Sequence, residues 1–150
     1  MMWKPVSDRA TPSYTGQVFV HHVQVRVSDI DATGMVRPGR FLDYLDDARG
    51  AFFAAPDNPT LHSSSAVVAR TEIDFIEPLR YAAEPIDVAL RVSYIGRSSF
   101  ALAARIAQRG AVAARATTVL VTYDGVRRRS RTLSNAERVE LTRWRTAAEE

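Results

Sequence analysis

The sequence contains no cysteine, which removes disulfides, thiolate metal sites and a cysteine nucleophile and gives export no support. Long apolar runs are missing too. The opening residues, MMWKPVSDRATPSYTG, hold nothing that could serve as a signal core, and no stretch approaches the roughly 18 apolar residues of a membrane span. The expectation is a cytoplasmic chain with no membrane segment. Excess charge is scarce: 20 Lys plus Arg stand against 17 Asp plus Glu, a net of +3, so the pI near 9.7 reflects arginine more than a strong field. Only three histidines occur, His21, His22 and His62. None has the helical spacing to a carboxylate that would suggest a metal, and adjacent His21 and His22 point to opposite sides of a strand, so no metal site is expected. A glycine-rich phosphate loop and a G-x-S-x-G elbow are both absent, and no internal repeat is visible.

What is present suits one globular core. The 150 residues are 46% hydrophobic and 25% charged, ordinary values for a single domain. Residues 1–16, with two prolines and no period, read as a flexible lead-in. Over 17–27, Phe19, His21, Val23, Val25 and Val27 alternate with Val20, His22, Gln24 and Arg26, which predicts a strand with one greasy face. In GRFLDYLDDARGAFFAA, Phe41, Leu45, Ala48 and Phe52 recur at helical spacing, with Pro38 suited to the first turn. APDNPT ends that helix. Four strands follow: one around Thr71, Ile73 and Phe75, one from Ile86 to Tyr94, and two more joined by a short hairpin at Arg109-Gly110. Ser134-Asn135-Ala136-Glu137 fits a capping box and opens a C-terminal surface helix with Val139, Leu141 and Trp144 as its apolar stripe.

The predicted fold is therefore α+β, a five-stranded antiparallel sheet packed on one long helix, with a C-terminal helix. Such a sheet leaves an edge to hide, which pairing of two copies would cover. The division along the chain is lead-in 1–16, main domain 17–125, and a basic segment with the C-terminal helix over 126–150. The basic run Val126 to Arg131, VRRRSR, reads as a solvated exit from the last strand; a nucleic-acid backbone and an anionic small molecule are its other readings.

The stretch Ser28 to Phe41, SDIDATGMVRPGRF, carries the chemistry. In extended backbone Asp29 and Asp31 project to the same side, so they could share one environment and push their pKa values apart; the plainer reading is that both solvate a turn or cap the next element. A carboxylate just ahead of a helix N-terminus suits acyl chemistry, because unsatisfied N–H groups polarise a carbonyl while the carboxylate attacks it or activates water.

RVSDIDATGMVRPGRFLDYLDDAR, from Arg26 to Arg49, resembles the signature of hot-dog-fold acyl-CoA thioesterases of the 4-hydroxybenzoyl-CoA thioesterase type. The match takes in Asp29, Asp31, Gly34, Val36, Phe41, Tyr44, Asp46, Ala48 and Arg49, and the likeness extends from Val18 to Asp124. The D-x-N-P-x-H pattern of hydratases of this fold is absent. The resemblance implies a five-stranded sheet wrapped around the long helix and a thioester hydrolase acting on acyl-CoA or an acyl-carrier protein, as a homodimer or homotetramer. Coenzyme A is then part of the substrate, with no separate cofactor and no nucleic-acid partner. It makes Asp31 the nucleophile or general base and Asp29 a support of the loop. The expected oxyanion donor falls on Pro38, which has no N–H, so the Gly39 N–H is expected to serve instead. Met35 and Phe41 are expected to line the pocket; Arg37 and Arg40 give it a cationic mouth or pair with Asp43 or Asp46. Arg97, Ser98 and Ser99 are expected at the coenzyme A moiety, and Glu72 to reach the site from across a dimer interface. The alternatives are a catalytically weak acyl-thioester-binding protein, which Pro38 suggests, and a nucleic-acid accessory using Arg127 to Arg131.

Overall fold

A computed structural model describes residues 17–62 and 65–145. In chain order it has strand β1 (Phe19–Val23), a 3-10 turn (Val27–Asp29), helix α1 (Arg40–Ala54), strands β2 (Ala66–Phe75), β3 (Ile86–Ile95), β4 (Ser99–Gln108), β5 (Ala111–Asp124) and β6 (Arg129–Ser130), and helix α2 (Asn135–Arg143). The sheet order is β1-β3-β4-β5-β2, antiparallel throughout, and the two-residue β6 adds to β5 as a sixth strand beyond the five expected. The lead-in of residues 1–16 lies outside the described residues.

Period two sets the faces. Ile86, Val88, Leu90 and Val92 of β3, with Phe100, Leu102, Ala104 and Ile106 of β4, are buried beneath α1. The helix answers with Phe41, Tyr44, Leu45, Ala48, Phe52 and Phe53. The β4–β5 connection is the expected tight hairpin: Arg109 and Gly110 take φ of 52° and 78°, the left-handed pair that a two-residue turn between twisted strands requires. The 126–145 segment packs on the same body. Ser134 caps α2 reciprocally with Glu137, Glu140 accepts from the Thr60 and Leu61 N–H groups, and the Trp144 indole N–H donates to Asn58, which in turn donates to the Phe52 carbonyl.

Several local expectations are corrected. The first strand stops at Val23 rather than Val27, because the Asp29 N–H donates to the Arg26 carbonyl at 2.9 Å and folds the chain into the 3-10 turn; Val27 is left 66% exposed. The helix begins at Arg40, with Pro38 and Gly39 in the turn ahead of it. The second strand starts at Ala66, ahead of its clear alternation. Val139 of the expected stripe faces solvent, while Leu141 and Trp144 are buried.

The two sheet edges differ. β1 pairs with β3 over five residues, whereas β2 runs ten residues with no strand beyond its outer edge among the described residues and with Val67, Val68 and Phe75 half exposed.

Candidate functional site

The joint between the first strand and α1 is a miniature hairpin. Asp31 N–H donates to the Met35 carbonyl at 2.8 Å, Gly34 N–H to the Asp31 carbonyl at 3.1 Å, and Ile30 bridges Val36. Gly34 closes the turn at φ 82°, a conformation that costs glycine little and other residues more. Val36 N–H donates to the Leu79 carbonyl and Arg37 N–H to the Asp29 carbonyl, so the loop is tied both to the β2–β3 connection and to itself.

The two aspartates part company here, against the expectation of a shared environment. Asp29 closes a 3-10 turn and only Ile30 after it is extended, and the carboxylates leave on opposite flanks of α1. Asp29 is buried and faces β1: it accepts from Arg26 N–H at 3.0 Å and Tyr44 hydroxyl at 2.8 Å, and lies 3.6 Å from Arg40 Nε. Burial works to raise its pKa, but those hydrogen bonds and the Arg40 and Arg26 charges outweigh it and hold the carboxyl below its ordinary value. Burial, and then the bond to Asp29, pushes the Tyr44 hydroxyl up.

Asp31 is exposed and faces β2. Its Oδ1 accepts from Thr33 hydroxyl at 2.5 Å, Thr33 N–H at 2.8 Å and Met35 N–H at 3.2 Å. The Thr33 hydroxyl, then the Thr33 and Met35 N–H groups and the Arg37 charge, lower its pKa against slight desolvation. The pair is thus not split into acid and base: both carboxyls are displaced downward.

Asp31, Met35, Val36, Pro38, Phe41, Phe75, Glu77 and Pro78 line a cleft of about 240 Å³. Phe41 and Phe75 meet edge to face in its wall, ring centroids 5.0 Å apart. A larger groove of about 530 Å³ lies on the β1 flank among His21, His22, Arg26, Arg40, Asp43 and Asp47. Its walls are charged, and its one buried carboxylate, Asp29, is tied to Arg26 N–H, the Tyr44 hydroxyl and the Arg40 charge. The smaller cleft suits acyl chemistry better, because apolar walls there meet an exposed carboxylate. Among the described residues, no three His, Asp or Glu side chains converge as a metal site would need.

At the start of α1, Arg40 N–H donates to the Arg37 carbonyl and Phe41 N–H to the Pro38 carbonyl. Pro38 has no donor. Among the described residues nothing accepts from the Gly39 N–H.

Of the other expected residues, Met35 and Phe41 line the cleft and Arg40 pairs with Asp43 at 3.0 Å. Glu72 sits on the sheet face away from α1, bonded to Arg70 beside Arg91 and Arg115. Arg97 and Ser98 lie in the β3–β4 turn and Ser99 opens β4, at the opposite end of the sheet: Ser99 pairs with Val121 and Ala66 with Thr122 at that end, while Phe75 pairs with Ala114 beside Asp31. They are not brought to Asp31 within one protomer. Glu77 and Pro78 are cleft residues that period and motif missed; the only signal was their place in IEPLRY directly after the second strand.

The family model of the thioesterase-like superfamily matches residues 25–144. The chain belongs to that superfamily. A thioesterase from Thermus thermophilus, solved with coenzyme A and zinc, is 32% identical, with 81% of this chain and 90% of that one covered and a TM-score of 0.71. A predicted thioesterase from Bacillus stearothermophilus superposes at a TM-score of 0.78 with 23% identity, covering 86% and 97% of the two chains. A 1,4-dihydroxy-2-naphthoyl-CoA thioesterase from Synechocystis is similar at 21% identity, 84% and 96% coverage and a TM-score of 0.71. None of the curated proteins matches. The α+β fold of this thioesterase-like chain is the hot-dog fold, its antiparallel sheet wrapped around α1.

Proposed function

We propose that this thioesterase-like protein hydrolyses an acyl-CoA or acyl-carrier-protein thioester, with Asp31 as nucleophile or general base. The observation that carries the reading is the Asp31 carboxylate standing in an apolar cleft whose wall includes Pro38 and Phe41 from the start of α1. As general base, Asp31 removes a proton from water; the hydroxide adds to the thioester carbonyl, the C–S bond breaks, and the thiolate leaves and is protonated. As nucleophile, Asp31 Oδ2 adds to the thioester carbonyl, the C–S bond breaks and the thiolate leaves and is protonated, and water then opens the mixed anhydride that remains. Either route builds charge on the carbonyl oxygen, and the Gly39 N–H, with the positive end of α1 behind it, is the donor available to meet it. Met35 and Phe41 are the expected walls for the acyl group.

The open β2 edge supports a homodimer as the working unit, by antiparallel pairing of β2 with its copy. Such pairing reverses direction across the two-fold axis, so the partner's Ala66 end would lie alongside Phe75. Arg97, Ser98 and Ser99 could then serve coenzyme A in trans, and the ten residues of β2, about 33 Å of extended chain, explain why they could not easily do so in cis. Glu72 would lie near the same interface. The cytoplasm, a reducing compartment that suits a chain without cysteine, is the setting of this reading.

The test is hydrolysis of a panel of acyl-CoA thioesters by the wild type and by Asp31→Asn. Turnover by the wild type that collapses in the variant is expected; turnover that survives intact in Asp31→Asn removes Asp31 from the mechanism. Pro38 supports a second reading, a binding protein that holds acyl thioesters without cutting them well, and coenzyme A binding with no turnover is its signature.

A further inference from the structure

Asp31 does not offer two equivalent oxygens. Three donors converge on Oδ1, two of them from Thr33, and among the described residues nothing donates to Oδ2. A carboxylate on an exposed loop would ordinarily rotate and exchange its oxygens; here the Thr33 hydroxyl at 2.5 Å and N–H at 2.8 Å fasten one of them. Thr33 is exposed and fills no part of the core, and among the described residues its hydroxyl has no second partner, so that hydroxyl has little to stabilise except the orientation of Asp31.

We propose that Thr33 is a positioning residue for Asp31, holding Oδ1 so that Oδ2 alone is presented to the thioester carbon or to the attacking water. This deepens the hydrolase reading and rests on it. An aligned carboxylate oxygen matters because displacement of a reacting group by even about 1 Å costs on the order of a hundredfold in rate. The bond also stabilises the ionised form of Asp31, so removing it moves the carboxyl's titration to higher pH. The other charged groups facing Asp31 are Arg37 on its own loop, Glu77 across the cleft and Arg80, whose backbone bridges Met35; all are retained when only the Thr33 hydroxyl is removed.

The experiment compares Thr33→Val, which keeps shape and backbone N–H, with Thr33→Ser, which keeps the hydroxyl. Steady-state kinetics on the best acyl-CoA of the panel is joined to a carbon-13 NMR titration of the Asp31 carboxyl. Thr33→Val is expected to lose between about tenfold and a hundredfold in kcat with KM unchanged, and to titrate Asp31, and the acid limb of the rate profile, at higher pH. Thr33→Ser is expected to behave as wild type in both. A Thr33→Val protein with unaltered kcat and unaltered Asp31 titration overturns the proposal, and so does a Thr33→Ser protein as impaired as Thr33→Val. Should the wild type cut none of the panel, the hydrolase reading fails by itself; the titration still decides whether Thr33 holds Asp31, an upward shift upholding that hold and an unmoved one overturning it.

Discussion

The two flanks of α1 receive two aspartates from one short loop and treat them in opposite ways. On the β1 flank Asp29 is buried, its Oδ2 accepting from Arg26 N–H and the Tyr44 hydroxyl and its Oδ1 3.6 Å from the charged Arg40 Nε. On the β2 flank Asp31 is exposed, with one oxygen saturated and the other left to the cleft. The lesson is a division of labour by burial: a carboxylate buried against a tyrosine and an arginine holds structure, and an exposed one with an oxygen turned to a cleft is the candidate for chemistry.

Substitutions can break this contrast. The largest effect is expected from Asp31→Asn, which should lower turnover by about 100- to 10 000-fold while leaving the thermal midpoint almost unchanged, as surface changes usually do. If the melt falls instead and turnover survives, the two aspartates have been assigned the wrong way round. Asp29→Ala should do the reverse in kind. It strands the Tyr44 hydroxyl and Arg26 N–H, at a cost of about 2–3 kcal/mol in urea unfolding, with any loss of activity following from a loosened loop. Tyr44→Phe removes one of the same bonds and should cost about 1 kcal/mol.

The pH dependence sharpens the contrast further. The folded state lowers the Asp29 pKa, so its contribution to stability is fully present above the unfolded value of about 3.9 and fades as pH falls through the lower folded value. The stability gap between wild type and Asp29→Asn should therefore close on acidification below about pH 4; a gap that persists or widens would contradict the hydrogen-bonded carboxylate. The smallest effect is expected at Arg127→Ala. Its ion pair with Asp124 spans 3.8 Å at the exposed β5–β6 turn and should be worth less than about 1 kcal/mol, with no change in the hydrolysis of a substrate lacking phosphates.

Much of the frame was legible in the residues. The period of two from Ile86 to Tyr94 gave β3, the helical recurrence of Phe41, Leu45, Ala48 and Phe52 gave α1, and Arg109-Gly110 and Ser134…Glu137 gave a turn and a cap. Each of these is a local signal, since the residues that define it lie within a few positions of one another. The boundaries were less legible. Val25 and Val27 continue the alternation of β1 past its end, because period two does not register the Asp29 bond that turns the chain away.

The site divides along the same line. Asp31, Met35 and Phe41 belong to one contiguous motif, and the loop that holds them is short enough to be read as a unit. Glu77 and Pro78 come to the cleft from beyond β2, and Arg97 is carried to the far end of the sheet by the length of the strands; neither placement is encoded in spacing along the chain. By itself the sequence determined the kinds of element, their order, and a carboxylate set before a helix start, since propensity, periodicity and capping act over a few residues. Only the tertiary structure decided which aspartate would be buried and which left open, because that choice depends on Tyr44, Arg40 and the cleft walls meeting the loop in space.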